Sequence, residues 1–386
     1  METDQPSRPA PPLHYPALQA GDAPAQRRLD RLGTRCVALT EHPVSLYAAA
    51  VLRIGYGLLY LAILLREFPH RNEIWGPDSP WTPTLAGELF QQTGWSSILT
   101  VSDSRAYFEA CYALALVASA LFMLGWRTRA LSVLFAVVVA SFHARAIFMT
   151  DGGDNLILLM ALYLPATACG RRWSLDARRA RLRASAGTAG RTPANREVHH
   201  LWSQLSCARR LLTTVLHNCG MLVIAAQVCI LYGSAGLYKV QGGSWGNGTA
   251  LHYVLNLDLF RPWPALSFLV DSHPMLVAIA SYTTVLLQVA FPFVLFGRVK
   301  YAVLTMLVGM HVGIAVLLGL PVFSGAMITA DAVFIPDSLC MALGQACHRF
   351  VQQMAWGARI RSGAASAPVP PRTESADTKS NWITGG

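Results

Sequence analysis

The sequence predicts an all-α, polytopic membrane protein: a helical bundle of about eight transmembrane helices with two long outer loops. Three observations carry that prediction. Of the 386 residues, 53% are hydrophobic and only 13% charged, where soluble domains carry about 25% charged residues. The apolar residues fall into runs near the length of about 20 that a helix needs to cross hydrocarbon. The basic residues cluster between those runs, which is a topology signal.

In chain order, residues 1–43 are rich in Pro, Ala and Arg and read as a disordered tail, not a signal peptide. Apolar runs follow at 44–65, 107–124, 130–149, 155–169, 211–237, 275–296, 301–318 and 322–345, together the transmembrane domain, 44–345. The fourth is short and holds Pro165, so it is expected to be tilted, broken or partly buried in protein. The seventh and eighth are joined only by Gly319-Leu320-Pro321, a tight helical hairpin. Residues 346–386 read as a cytoplasmic, mostly disordered tail.

The basic residues set the orientation. Taking alternate connections, 1–43, 125–129, 170–210, 297–300 and 346–386 hold 24 Lys and Arg, while 66–106, 150–154, 238–274 and 319–321 hold five. The bias predicts an inner (plasma) membrane protein with both termini cytoplasmic. It also accounts for the net charge of +10 without a nucleic-acid partner; the bilayer is the expected one. The inner segment 170–196, with Arg171, Arg172, Arg178, Arg179, Arg181 and Arg183, either fixes topology or lies on the membrane surface and attracts anionic lipid.

The two outer loops are long and aromatic. Residues 66–106 carry Trp75, Trp81 and Trp95, and 238–274 carry Trp245, Tyr253, Phe260 and Trp263. Such residues sit at the headgroup boundary or build a cap over an outward-facing cavity. Eight cysteines without a CxxC pair predict neither a disulfide framework nor a structural zinc site. No nucleotide-binding glycine motif or paired-His metal motif is present. His143, His217 and His311 all fall in spans, but their depths suggest no obvious haem-ligating pair.

The stretch from Tyr232 to Thr249 organises the rest. Gly233, Ser234, Ala235 and Gly236 permit close helix packing. Lys239 follows at the helix exit, and the glycines 242, 243, 246 and 248 turn the chain around Trp245. Lys239 is either an anchor at the interface or a base, and an amine is a base at neutral pH only where it is desolvated. Tyr232 and Tyr238 could supply that setting. Asp154, after Gly152-Gly153, either caps the fourth helix or works beside Lys239. His143 and Arg145 either share that cavity or reach the interface. Arg53, Gln227, Gln288, His311 and Asp331 lie deeper, on five different spans, and should face inward. Arg53 and Asp331, both near mid-depth, are the expected ion pair. The group is a structural polar core or a substrate or proton path.

Four pieces in order resemble the horizontally transferred transmembrane (HTTM) domain, the membrane part of vitamin K-dependent γ-glutamyl carboxylase and of many bacterial membrane proteins. They are Leu52-Arg53-Ile54-Gly55-Tyr56-Gly57; Asp151-Gly152-Gly153-Asp154-Asn155 with Trp173-Ser174-Leu175-Asp176; Ala235-Gly236-Leu237-Tyr238-Lys239 through Trp245 to Gly248-Thr249-Ala250; and His311 with Phe323 and Met327-Ile328. They cover roughly residues 45–340. The resemblance implies that Lys239 matches the base that deprotonates a quinol, with Asp154 where the carboxylase has an assisting histidine and Tyr238 where it has a second lysine. The carboxylase's large extramembrane domain has no counterpart after residue 345. The expectation is an enzyme-like site for a lipophilic small molecule, quinol-like, with Lys239, Asp154 and His311 catalytic and Tyr238, Trp245 and His143 binding substrate. The alternatives are a non-catalytic membrane partner in export, maturation or immunity for a secreted product, and a small-molecule transporter.

Overall fold

The computed structural model describes residues 40–186, 196–295, 297–346, 349 and 352–354. Among these every regular element is helical: α1 Leu46–Arg66, α2 Pro83–Thr93, α3 Arg105–Leu124, α4 Thr128–Arg145, α5 Gly152–Tyr163, α6 Leu175–Ala186, α7 Arg196–Val240, α8 Ala250–Leu255, α9 Pro264–Asp271, α10 Pro274–Val294, α11 Lys300–Leu317 and α12 Pro321–Asp331, with short helical turns between. Six are long and apolar enough to cross a membrane: α1, α3, α4, α7 from Ser203, α10 and α11. The protein is therefore a helical membrane protein. Its lipid-level surface is apolar, with Leu58, Leu114, Val137, Leu222, Ile230 and Leu286 all exposed, as side chains facing hydrocarbon should be.

The two shorter apolar helices, α5 and α12, lie within this bundle. α5 begins with a capping box: Asp151 accepts from the amides of Gly153 and Asp154, while Asp154 accepts from the Asp151 amide. It ends where Pro165 turns the chain into a 3₁₀ turn, Leu164–Ala166. α12 starts at Pro321 and passes into a 3₁₀ turn at Ala332–Phe334. Small residues let α12 approach its neighbours. A Cβ on Gly153 would lie 2.8 Å from the Phe323 backbone, and one on Gly325 would lie 2.8 Å from Leu59.

Two ends of the bundle can be told apart by their hydrogen bonds, and the α7 rise of 1.5 Å per residue puts His217 and Lys239 about 33 Å apart. At the first end the chain is tied across five segments. Arg53, fully buried, donates to the carbonyls of Cys169 (3.0 Å) and Trp173 (2.6 Å). Asp176 accepts from the Arg127 amide (2.9 Å) and from the amide and hydroxyl of Thr128 (2.7 Å each), capping α4 from a distant segment. Partial burial disfavours its charge, but those donors outweigh it and hold the carboxyl below its ordinary range. Gly125 must be glycine here on two grounds: its φ is +73°, and a Cβ would meet Arg53 and Ser174. His217 bonds the Val44 carbonyl and accepts from the Ala168 amide, and Asn218 bonds Val44 and His42.

Four expectations change. Arg53 and Asp331 are not an ion pair: Arg53 is taken by two carbonyls and Asp331 by Tyr232. The N-cap of α5 is Asp151, because an N-cap oxygen must reach the second and third amides; Asp154 sits at N3. The segment after Trp173 folds as helix α6. The run 322–345 is not one helix, since the chain leaves helical geometry before Pro336, and the compact unit holding the bundle ends at Ile335.

Candidate functional site

α7 positions Lys239. Tyr232, Gly236 and Lys239 recur at i, i+4 and i+7, one face of a helix, which puts Lys239 about 10 Å beyond Tyr232 along the axis. That face meets α10. A Cβ on Gly236 would lie 2.9 Å from the Val289 amide nitrogen, and one on Gly233 would touch Pro292 at 3.5 Å. The close approach brings Gln288 beside the α7 face, one turn short of Phe291, whose ring packs on Tyr232 at 4.8 Å. Lys239 is half-buried. Its Nζ donates to the Ala235 carbonyl at 3.4 Å and lies 5.3 Å from the centre of the Trp245 ring, a cation–π contact.

Beneath it lies a buried chain of three polar side chains from three helices. The Tyr232 hydroxyl donates to Asp331 Oδ2 at 3.0 Å and is 3.0 Å from His311 Nε2. With the hydroxyl proton committed to Asp331, Nε2 is the donor to the phenol oxygen, so Nδ1 is the bare ring nitrogen. Tyr232, His311 and Asp331 are 0%, 1% and 2% exposed. Yet His311 Nδ1 and Asp331 Oδ1 have no partner, and neither do Gln288 Oε1 and Ser324 Oγ. Unmatched buried groups of this kind are rare and costly. The three side chains form one continuous hydrogen-bonded chain.

His143 and Asp154 stand elsewhere. They line a separate cavity of ≈190 Å³ with Tyr60, Arg66, Glu67 and Trp75. Its roof is the segment after α1, which is strapped down by Arg145 Nη2 to the Gly76 carbonyl (3.1 Å) and by Ser97 Oγ to the Ser141 carbonyl (2.8 Å). Tyr60, whose ring packs edge-on against Phe135 of α4, has a buried hydroxyl with no partner. Between the two groups stands Phe323 of α12, in contact with His311 on one side (5.8 Å between rings) and with Gly152 and Gly153 on the other.

The structure thus brings Lys239, Trp245 and His311 into one neighbourhood and places Asp154 and His143 in another. Tyr238 is 80% exposed, about 120° around α7 from Tyr232. Tyr163 takes Gln227, its hydroxyl donating to Oε1 at 3.3 Å. The sequence reading had no sign of Ser324 or of the bond between Tyr232 and Asp331. Only the shared face of Tyr232 and Lys239, at i and i+7, is legible in the sequence.

The segment from Trp245 to Asp271 closes this end. Tyr282 donates to the Gly246 carbonyl at 2.9 Å, and Asp271 holds His252 at 2.6 Å and Asn256 at 3.0 Å. The Asn256 amide is the largest influence on the Asp271 carboxyl; it outweighs burial and, with His252, keeps that group below its ordinary range. Compared with protein-family models, with curated proteins and with solved structures, the chain matches none.

Proposed function

We propose that this is a membrane protein of the HTTM type that acts on a lipophilic, quinol-like molecule, with Lys239 as its base. One observation carries the reading: a half-buried amine stands over a buried His311–Tyr232–Asp331 chain whose unpartnered atoms, His311 Nδ1 and Asp331 Oδ1, are both hydrogen-bond acceptors. Acceptors so placed suit a ligand that brings hydroxyl donors. Apolar grooves flank α10 on both sides, one with Trp245, Tyr282 and Val289, the other with Leu287, Met310 and Ile314, which suits a lipophilic one. In this reading Lys239 takes a hydroxyl proton from the ligand, and the ammonium so formed stands beside the resulting anion, while His311 Nδ1 and Asp331 Oδ1 accept from the ligand's other hydroxyl. On the same reading α5 and α12 complete eight crossings, with both termini cytoplasmic and Lys239 outside, which the 24-to-5 distribution of basic residues supports.

The test is mass spectrometry of the lipids and quinones retained after gentle purification. A quinone retained by the wild type and lost on Trp245→Ala with His311→Ala supports the reading; equal, low retention by both counts against it. For orientation, cysteines introduced at Gln91 and Asn256 in a cysteine-free background should react with an impermeant thiol reagent in intact cells. Labelling only after lysis would reverse the topology. A second reading, a non-catalytic partner for a secreted or membrane protein, draws on Asp154, whose carboxylate is engaged by the Asp151 amide and lines a cavity to which Lys239 does not contribute. Loss of a partner's processing without any bound ligand would favour it.

A further inference from the structure

At the end of the bundle opposite Lys239, four arginines from three segments converge: Arg129 from the first turn of α4, Arg171 and Arg172 from the turn before α6, and Arg210 from α7. Contacts hold them together. Gly170 packs against Thr128, where a Cβ would come within 2.5 Å of the hydroxyl, so Arg171 is set beside Arg129. Arg129 Nη2 donates to Thr213 Oγ1 at 2.9 Å, and Thr213 is one turn from Arg210 on the same helix. Arg172 lies 5.3 Å from the centre of the Tyr47 ring, which packs on Trp173. Burial first, and then the charges of Arg129, Arg172 and Arg210, disfavour the charged form of Arg171.

Such crowding of like charges is ordinarily relieved by carboxylates. Among the described residues none of the four is in an ion pair. Between residues 171 and 186 the single acid is Asp176, and both of its oxygens are engaged by Arg127 and Thr128. Fixing topology requires only that basic residues be numerous on one side; it does not require them to meet from distant segments at a shared point. The surroundings place the cluster at the rim of the apolar belt. Val133, one turn beyond Arg129, and Leu211 and Leu212, next to Arg210, are 54%, 50% and 60% exposed.

We propose that Arg129, Arg171, Arg172 and Arg210 form a binding site for a phosphate group, carried by the headgroup of an anionic phospholipid. Guanidinium forks match phosphate oxygens in pairs, and the adjoining exposed leucines and valine suit the start of an acyl chain. The site stands apart from Lys239 and does not depend on the activity proposed there.

The test uses the full chain in mild detergent, titrated separately with phosphatidylglycerol, phosphatidylcholine and inorganic phosphate, read by native mass spectrometry and by melting temperature. Phosphatidylglycerol should bind and stabilise at concentrations where phosphatidylcholine does neither. The triple variant Arg129→Gln, Arg171→Gln, Arg210→Gln should bind phosphatidylglycerol about a hundredfold more weakly. Relieved of repulsion, it should melt no lower than the wild type without anionic lipid. Equal stabilisation by inorganic phosphate would uphold the phosphate site but make its source soluble. Equal binding of the two lipids by the wild type, or undiminished phosphatidylglycerol binding by the triple variant, would overturn the proposal. Should that variant fail to fold, the single variant Arg171→Gln and the wild-type lipid comparison still decide it.

Discussion

The Asp176 end and the Lys239 end are both rich in polar side chains set among apolar helices, but they use them differently. At the first, Arg53 places both amino groups on carbonyls and Asp176 collects three donors at once. At the second, Asp331, His311 and Gln288 each leave a buried atom unmatched. A polar group in a membrane bundle is commonly read as a functional one. Here the balance of partners differs: Arg53 and Asp176 each engage several groups on distant segments, with only Arg53 Nε unmatched, while Gln288, His311, Ser324 and Asp331 at the Lys239 end each leave a buried atom free.

That contrast is open to attack at several points, and the largest effect is expected at Arg53. Arg53→Ala would strip two buried carbonyls of their donor and empty the space beside Gly125, costing about 3–5 kcal/mol of stability. Arg53→Lys, which keeps the charge but lacks the fork, should recover only part. Because Asp331 is not its partner, pairing Arg53→Ala with Asp331→Ala should give losses that simply add. Recovery in the double variant, read from folded yield in detergent, would restore the ion pair and erase the distinction.

Asp176→Ala comes next. Losing the cap on α4 and the hydroxyl contact of Thr128 should cost about 1–2 kcal/mol, seen as a lower melting temperature. At the Lys239 end, by contrast, Lys239→Met removes one long hydrogen bond and a cation–π contact. It should cost about 1 kcal/mol or less. If Lys239→Met unfolds the protein as readily as Asp176→Ala does, both ends are structural.

The smallest effect concerns pH. Asp271 is held below its ordinary carboxyl range by Asn256 and His252. Its contribution to stability is therefore present above the unfolded-state value and is lost as the pH falls through the folded-state value. Asp271→Asn should lower the melting temperature by about 1–2 °C at neutral pH and above, and the difference should vanish as the pH falls, which flattens the acid side of the profile. A variant that matches the wild type at every pH would mean that the Asp271 contacts do not fasten the segment from Trp245 to Asp271.

Much of the frame was legible in the sequence. The runs 44–65, 107–124, 275–296 and 301–318 end within two residues of α1, α3, α10 and α11, because hydrocarbon imposes length and composition together. The partners were not legible. Charge complementarity suggested Asp331 for Arg53, but its actual acceptors are backbone carbonyls, and every residue has one. Asp154 was singled out as a cap, while the neighbouring Asp151, one turn back in the box, holds that place. The α6 helix was missed because its exposed arginines carry no apolar period. The division of His143 and Asp154 from Lys239 depends on where Phe323 packs, which only the tertiary structure shows.

The proposed role of the Lys239 end, moving a proton where the Asp176 end only holds the chain together, is tested most directly by substitution of Lys239 by arginine. Arginine keeps the length and the charge but cannot give up its proton near neutral pH. Cells lacking the protein would be complemented with wild type, Lys239→Arg or Lys239→Met, each confirmed at normal level in the membrane. The prediction is that Lys239→Arg fails as completely as Lys239→Met while still folding. Full complementation by Lys239→Arg would contradict it and leave Lys239 as an anchor at the membrane surface.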